Sequence, residues 1–317
     1  MKRKVNTILK KPKIAVLLAA CNGEKYINQQ ILSIIKQTVS PKSIYISLDK
    51  SEDKTEKKII NLKKKFNEIK LISNKKFFGS ACSNFLNLMQ LNDLKKYDYV
   101  ALSDQDDIWK KNKLKAAIVK LKKNQALCYS SNVEAFWDNG KKKKIIKSQK
   151  QKKYDYFFEA GGPGCTYVLH RKFIHFFQKF LKKNKTSISK LNDYHDWLIY
   201  SFARINKIKW IIDSNFSVYY RQHSNNALGA NIGVYSKYKR VLKFFNGNYF
   251  GFVKNIIQIN KINKNRFVKK WFPFSSKGFL YLAKNIKECR RKGNEQLYFF
   301  ILLIFMCVLY PFLKKKL

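Results

Sequence analysis

The sequence predicts an α/β protein: a doubly wound, mostly parallel sheet covered by helices, continued by a helical, basic C-terminal extension. Three observations carry that prediction. Short apolar runs alternate with segments of helical periodicity through the first half of the chain. Polar clusters stand directly after the apolar runs, where such sheets gather their ligands. From about Tyr235 onward the pattern becomes helical and lysine-rich, with aromatic pairs such as Phe244-Phe245 and Trp271-Phe272.

The expected strands are Ile14 to Ala19, Ser43 to Leu48, Ile69 to Ile72, Tyr99 to Leu102 and Leu127 to Ser130. Between them, Tyr26 to Gln37, Asp53 to Phe66, Ser83 to Leu91 and Asn112 to Lys123 space their apolar residues as helices do. A lysine-rich loop, Lys141 to Lys153, precedes a second half. There Gly161-Gly162-Pro163-Gly164 leads into an expected strand, Cys165 to Leu169, and a helix starts at Arg171. His195-Asp196-Trp197 opens a helix reaching about Arg204, and Trp210 to Ile212 and Val218 to Tyr220 read as two further strands. The division expected is a catalytic domain over residues 1–232 and a helical basic region over 233–317.

Composition sets outer limits. The 317 residues are 45% hydrophobic and 15% aromatic, enough apolar surface to offset conformational entropy, so the chain is not a disordered polycation. The formal net charge of +46 attracts polyanions, whether nucleic acid, an anionic lipid surface or a phosphorylated substrate. Nucleic acid is the disfavoured partner, because lysine heavily outnumbers the arginine that base and phosphate forks use. The six cysteines are widely separated and form no Cys-x-x-Cys pair, which argues against structural zinc and against a disulfide framework.

Two segments bear on the membrane. Basic residues from Lys2 to Lys13, followed by an apolar run ending at Cys21, also fit a lipoprotein signal, although the run is as short as such a signal can be. Leu297 to Leu313 is uncharged, flanked by Arg290-Arg291-Lys292 and Lys314-Lys315-Lys316, and its length is at the lower limit for a span. It fits a span, an interfacial helix or a core helix. Its aromatic content and basic flanks favour contact with an anionic membrane.

The sharpest chemical element is Asp104-Gln105-Asp106. Two carboxylates one residue apart, on a turn leaving a strand, can hold a hard cation such as Mg2+ or Mn2+ whose shell phosphate oxygens complete. A solvated acidic turn suits Asp107 better than the whole set. Asp196 reads either as a general base or as a carboxylate favoured by a helix N-terminus. His223 reads as a ligand or a loop histidine. Gly161, Gly162 and Gly164 permit a close backbone approach or only a turn, and Trp109 and Trp197 fit core or pocket wall.

Together, Val16 to Tyr26, Gln37-Thr38, Ser47 to Thr55, Phe78-Gly79-Ser80, Ser103 to Trp109, His195-Asp196-Trp197 and Tyr220-Arg221-Gln222-His223 resemble the ordered motifs of family 2 glycosyltransferases, in particular the rhamnosyltransferase branch. The resemblance covers roughly residues 12–230. It implies a glycosyltransferase A fold, a nucleotide-diphosphate sugar donor, a divalent metal, inversion at the anomeric carbon, and a saccharide or lipid-linked acceptor in cell-surface polysaccharide assembly. The scattered cysteines fit a reducing cytosolic setting, and with the apolar segment 297–313 they give the expected location as the cytoplasmic face of the plasma membrane, peripheral or anchored by that segment.

By the same resemblance Asp49 contacts the donor base, Asp104 the ribose or the metal, and Asp106 is the principal metal ligand. Asp196 is implied as the catalytic base, and His223 with Arg221 as a contact to metal or diphosphate. Beside these, Asn22, Glu24 and Gly79 are expected to bind the donor, and Gly162 and Gly164, through close backbone approach, with Trp197 as a ring platform, to bind the acceptor. The chain departs from the family pattern at Ala20-Cys21-Asn22, where Thr-Tyr-Asn is usual, and at Leu48-Asp49-Lys50-Ser51, where Asp-Asp-Gly-Ser is usual. A rival reading keeps the scaffold without catalysis, as a basic anion- or membrane-binding protein.

Overall fold

The computed structural model describes residues 11–73, 77–189, 191, 193–223, 241–242 and 244–313. The first strand, β1 (Ile14–Ala20), is buried along its whole length, and its side chains divide with the two-residue period of a strand. Ile14, Val16, Leu18 and Ala20 join one core, and Ala15, Leu17 and Ala19 the other. A strand apolar on both faces must lie between two helical layers, and this is the centre of the sheet.

Strands β2 (Ser43–Leu48) and β3 (Ile69–Ser73) add in parallel on one side of β1, and β4 (Tyr99–Ser103) adds in parallel on the other. Short β5 (Ile108–Trp109) follows, then β6 (Cys128–Trp137), β7 (Lys142–Ile145), β8 (Val168–His170) and β9 (Trp210–Gln222). The order is β3-β2-β1-β4-β8-β6-β9-β5, with β7 paired to β6. Strand β8 runs antiparallel to both β4 and β6, and β9 parallel to β6. Helices α1 (Ile27–Ile35), α2 (Thr55–Lys65), α3 (Ala81–Leu88) and α4 (Lys113–Lys123) connect the first strands. The second half contributes α5 (Arg171–Lys183), α6 (Lys185–Ile188) and α7 (His195–Ile205).

Three expectations are corrected. The lysine-rich segment is not all loop: Lys142–Ile145 forms β7, an exposed strand that closes a hairpin with β6. The turn, Asp138-Asn139-Gly140, places Gly140 in the left-handed region at φ 80°, a hairpin signal that lysine content masked. The strand expected from Cys165 is shorter, because Gly164–Thr166 makes a 3-10 turn before β8. The two strands expected near the end of the catalytic half are one, β9, whose register with β6 shifts at Ser131 to Val133.

Beyond residue 240 the chain forms α8 (Asn248–Ile259), α9 (Ser276–Lys284), α10 (Ile286–Cys289) and α11 (Gly293–Leu313). The expected boundary at 232/233 lies outside the described residues. The described C-terminal helices share a core with the first half: Phe250, Trp271, Phe299, Leu303 and Met306 belong to the cluster that contains Leu17, Trp197 and Tyr200. A buried ionic knot reinforces this joint. Asp155 pairs with Arg204 at 3.0 Å and Arg291 at 3.3 Å, accepts from the Tyr200 hydroxyl at 3.0 Å, and Arg291 also pairs with Glu159 at 3.0 Å. The knot ties the segment before α11 to α7, the helix that carries Asp196.

Candidate active site

The carboxyl ends of β1, β2, β4 and β9 meet at one rim, as the topology requires. On the β1 and β2 side the expected donor residues are engaged in holding loops. Asn22 sits in the left-handed region at φ 47°, donates its N–H to Ser51 Oγ at 3.0 Å, and accepts the Glu52 N–H at 2.8 Å. Glu24 accepts the Lys54 N–H at 3.1 Å and lies 3.7 Å from Lys58 Nζ. Asp49, 4% exposed, accepts the N–H groups of Lys50 at 2.9 Å, Phe78 at 3.0 Å and Gly79 at 2.9 Å. Gly79, at φ 69°, supplies the backbone conformation that lets this turn close.

Gln105, between the two expected metal carboxylates, clamps the opposite loop. Its Oε1 accepts the Cys21 N–H at 2.9 Å and its Nε2 donates to the Cys21 carbonyl at 2.7 Å, imitating a strand partner. The turn after β4 is thereby fixed to the turn after β1.

On the other side of the rim, Asp106 Oδ2 lies 2.8 Å from His223 Nε2. The His223 ring stacks on Tyr26 with centroids 5.0 Å apart. Arg221, 7% exposed, donates from Nε to the Asp106 carbonyl at 2.9 Å and from Nη2 to Gln29 at 2.5 Å, and its N–H donates to Asp107 at 3.2 Å. It braces the carboxylate turn from behind. A cavity of about 770 Å³ opens between these groups, lined by Cys21, Asn22, Tyr26, Asp106, Trp137 and His223 among others.

Charge is crowded here. Burial, then the neighbouring charges of Asp106 and Asp196, push the Asp104 carboxyl up to about 7. Burial pushes Asp196 up to about 6, opposed by its hydrogen bond from the Trp197 amide and by Lys147. Asp107 is driven well above the carboxylate range by burial and by Asp106 and Asp104, and its ligand atoms fall with those of Asp104 and Cys165 within 4.8 Å of one another. Burial lowers nearby Lys113 to about 7. Carboxylates that destabilise one another's charged forms are stabilised by a cation, so an oxygen-rich set with one imidazole fits Mg2+ or Mn2+ chemically.

The second half positions Asp196. A Cβ built on Gly164 would lie 3.2 Å from Asp196 Cβ and 2.8 Å from His195 Nε2, so only glycine lets the 3-10 turn approach this closely. Tyr167 donates its hydroxyl to the carbonyls of Gly162 at 3.1 Å and Asp196 at 3.3 Å, tying both glycine turn and helix start together. His195 stacks on Phe85 at 4.4 Å, and burial drops its pKa to about 4, so it is a neutral packing group. Trp197 corrects an expectation. Its ring packs with Tyr194, Tyr249 and Phe252, and its indole N–H donates to the Tyr156 carbonyl at 2.9 Å, which makes it a core residue and not part of the acceptor surface.

Comparison with known proteins accords with this architecture. A family model described as Glycosyl transferase family 2 matches residues 15–188. A Shigella flexneri protein named dTDP-rhamnosyl transferase RfbG is 41% identical over 292 residues, covering 90% of this chain and 99% of its own. The Escherichia coli protein UDP-Glc:alpha-D-GlcNAc-diphosphoundecaprenol beta-1,3-glucosyltransferase WfgD is 29% identical over 190 residues, 58% of this chain and 68% of its own. The structure of S. aureus TarS 1-349 in complex with UDP-GlcNAc shares the fold, with a TM-score of 0.53 at 16% identity over 96% of this chain and 88% of that one. The chain thus belongs to glycosyltransferase family 2 and has its glycosyltransferase A fold.

Proposed function

We propose that the protein transfers rhamnose from dTDP-rhamnose, with inversion, to a lipid-linked saccharide at the cytoplasmic face of the plasma membrane, in the assembly of a cell-surface polysaccharide. The donor assignment is supported by the near full-length identity to the Shigella rhamnosyl transferase. The observation that carries the reading is geometric: the Asp106–His223 pair, 2.8 Å apart, lines the cavity at the strand rim, and Asp196 at the start of α7 is near enough for its charge to add to the rise at Asp104.

Asp196 takes the proton of the acceptor hydroxyl as its oxygen bonds to the anomeric carbon and the bond to the nucleoside diphosphate breaks. Its raised pKa strengthens it as a base while leaving it mostly ionised at neutral pH. Asp106 and His223, with Asp104 beside them, would hold Mg2+ or Mn2+, which supplies positive charge to the leaving diphosphate. Gly164 lets the 3-10 turn pack directly against His195 and Asp196, and Gly162 packs against Ser130 and Ser131, so the two glycines set the position of Asp196 for the acceptor. Asn22 lines the cavity, Asp49, Glu24 and Gly79 fix the loops behind it, and Arg221 holds the turn that carries Asp106.

The membrane reading rests on α11. Phe299, Leu302, Leu303 and Met306 are buried in the core, while Leu297, Ile301, Phe305, Val308 and Phe312 are exposed along one stripe, four, four, three and four residues apart. A helix with one face committed to the core lies in the interface plane in preference to crossing the bilayer. Its first turn reaches toward the site: Glu295 pairs with Arg290 at 2.6 Å and approaches Lys147 at 3.8 Å, and Lys147 is a cation felt by Asp196. An acceptor anchored in lipid, like the one in the name of the E. coli relative, suits that arrangement.

The test is transfer of radiolabelled rhamnose from dTDP-rhamnose to a panel of diphosphoundecaprenol-linked saccharides with Mn2+ or Mg2+, beside UDP-glucose and UDP-GlcNAc as competing donors. Label in the lipid fraction, lost on adding EDTA, is the expected result. Turnover of a UDP-sugar with none of dTDP-rhamnose would refute the donor assignment, and EDTA-insensitive transfer would refute the metal.

A further inference from the structure

Four of the five tryptophans are buried: Trp109, Trp197, Trp210 and Trp271 are each 5% exposed or less. Trp137 differs. It is partly exposed and lines the same cavity as Asp106 and His223. It is the last residue of β6, in register with Gln222 of β9, one residue before His223. The sheet therefore delivers the indole to the neighbourhood of the Asp106–His223 pair.

The hairpin that carries Trp137 is fixed from both sides. The Trp137 N–H donates to the Lys141 carbonyl at 3.0 Å and the Gly140 N–H donates to the Trp137 carbonyl at 3.0 Å, closing the turn. Asp138, the next residue, reaches Lys25 at 3.3 Å and Arg221 at 3.5 Å, groups on the β1–α1 loop and on β9. The turn is held against the loop that follows β1.

The rest of the cavity lining is chiefly polar, including Asn22, Lys25, Gln105, Asp106 and Asn139. The other aromatic ring, Tyr26, already stacks on His223 and has the Arg221 guanidinium 4.5 Å from its centroid. The Lys141 ammonium stands 5.7 Å from the Trp137 ring centroid, and the indole is otherwise apolar surface in a polar cavity, which a flat or apolar ligand can cover. A nucleotide sugar has two such surfaces, the base and the apolar face of a 6-deoxy sugar.

We propose that Trp137 is a donor-contacting residue, whose indole packs against the nucleobase or the deoxysugar of the bound donor. The inference rests on the reading of this cavity as a nucleotide-sugar site and names a specificity residue within it. Base–indole and sugar–indole packing share one chemistry, and the ligands used in the test separate them.

The position of Trp137 provides its own probe, because its emission is solvent-accessible while the other four indoles are buried. Wild type, Trp137→Phe and Trp137→Ala are titrated with dTDP and with dTDP-rhamnose, in the presence of Mn2+ or Mg2+, by tryptophan emission and in parallel by calorimetry. Donor should change the wild-type emission, and the change should vanish in Trp137→Phe while calorimetry still detects binding. Trp137→Ala should weaken donor binding about 2- to 12-fold, and Trp137→Phe should recover most of it. A response to dTDP alone assigns the base, and one that needs dTDP-rhamnose assigns the sugar. Unchanged affinity in Trp137→Ala, or an emission change that survives in Trp137→Phe, overturns the inference while leaving the donor site in place. Absence of calorimetric binding of either ligand to wild type overturns the nucleotide-sugar reading and this inference together. Emission from Trp137→Phe carries the test even where Trp137→Ala fails to fold.

Discussion

The loops after β1 and β2 hold carboxylates that accept several backbone hydrogen bonds, whereas the turn after β4 and the start of α7 hold carboxylates driven upward by burial. Asp53 illustrates the first kind. Burial alone would raise its pKa, but hydrogen bonds from Thr55 and from the Glu24 and Thr55 amides outweigh that and hold it below the ordinary range. Asp49 is likewise surrounded by three donated N–H groups. Asp104 and Asp196 illustrate the second kind, driven upward by burial, with like charges adding to the rise at Asp104. On the proposed reading, carboxylates held by several amides build the site, and those with raised pKa values are the candidates for its chemistry.

The comparison is broken or sharpened most strongly at Asp106. On the proposed reaction Asp106→Ala should lower rhamnose transfer about 10²- to 10³-fold, because Asp106 would hold the cation at the leaving diphosphate, with the melting temperature little changed. A fall in stability matching the fall in activity would move Asp106 into the architectural class.

Arg291 tests the joint between α7 and the C-terminal helices. Arg291→Ala removes a partner of buried Asp155 and Glu159 and should cost about 3 kcal/mol in urea unfolding. Asp49→Ala should cost less, about 2 kcal/mol, by leaving the amides of Lys50, Phe78 and Gly79 without their acceptor. Asp49→Asn, which keeps a carbonyl oxygen, should recover part of it. Loss of transfer in Asp49→Asn with stability and donor affinity intact would erase the distinction between the two sides of the rim.

The pH dependence follows from Asp196. A base works only when ionised, so with a pKa of about 6 it is active above that value and lost as the pH falls through it. Below about pH 6, kcat/KM should fall roughly tenfold per pH unit. A profile flat down to pH 5 would mean that another group takes the proton.

Much of this was legible in the sequence, and what was not has identifiable physical reasons. The buried strands announce themselves as continuous apolar runs, and the polar clusters after them mark the rim, because a parallel sheet leaves them nowhere else to go. Gln105 was invisible as a clamp, since its partner Cys21 is 84 residues away and no local pattern records the pairing. The Asp155–Arg204–Arg291 knot was missed for the same reason, with partners 49 and 136 residues apart. Trp197 escapes a linear reading because adjacent helical residues point about 100° apart, so a helix start that leaves Asp196 partly exposed turns its neighbour into the core. Hairpin strand β7 was hidden by its lysines, although its Asp-Asn-Gly turn was in view.

The account stands or falls on Asp196 acting on the acceptor across from Asp106. The direct measurement compares Asp196→Asn with wild type in two assays on one preparation: dTDP-rhamnose binding by calorimetry and labelled rhamnose transfer to the lipid-linked acceptor. The account predicts binding within about twofold of wild type and transfer reduced about 10²- to 10⁴-fold. Transfer retained within a few-fold by a well-folded Asp196→Asn protein would contradict it.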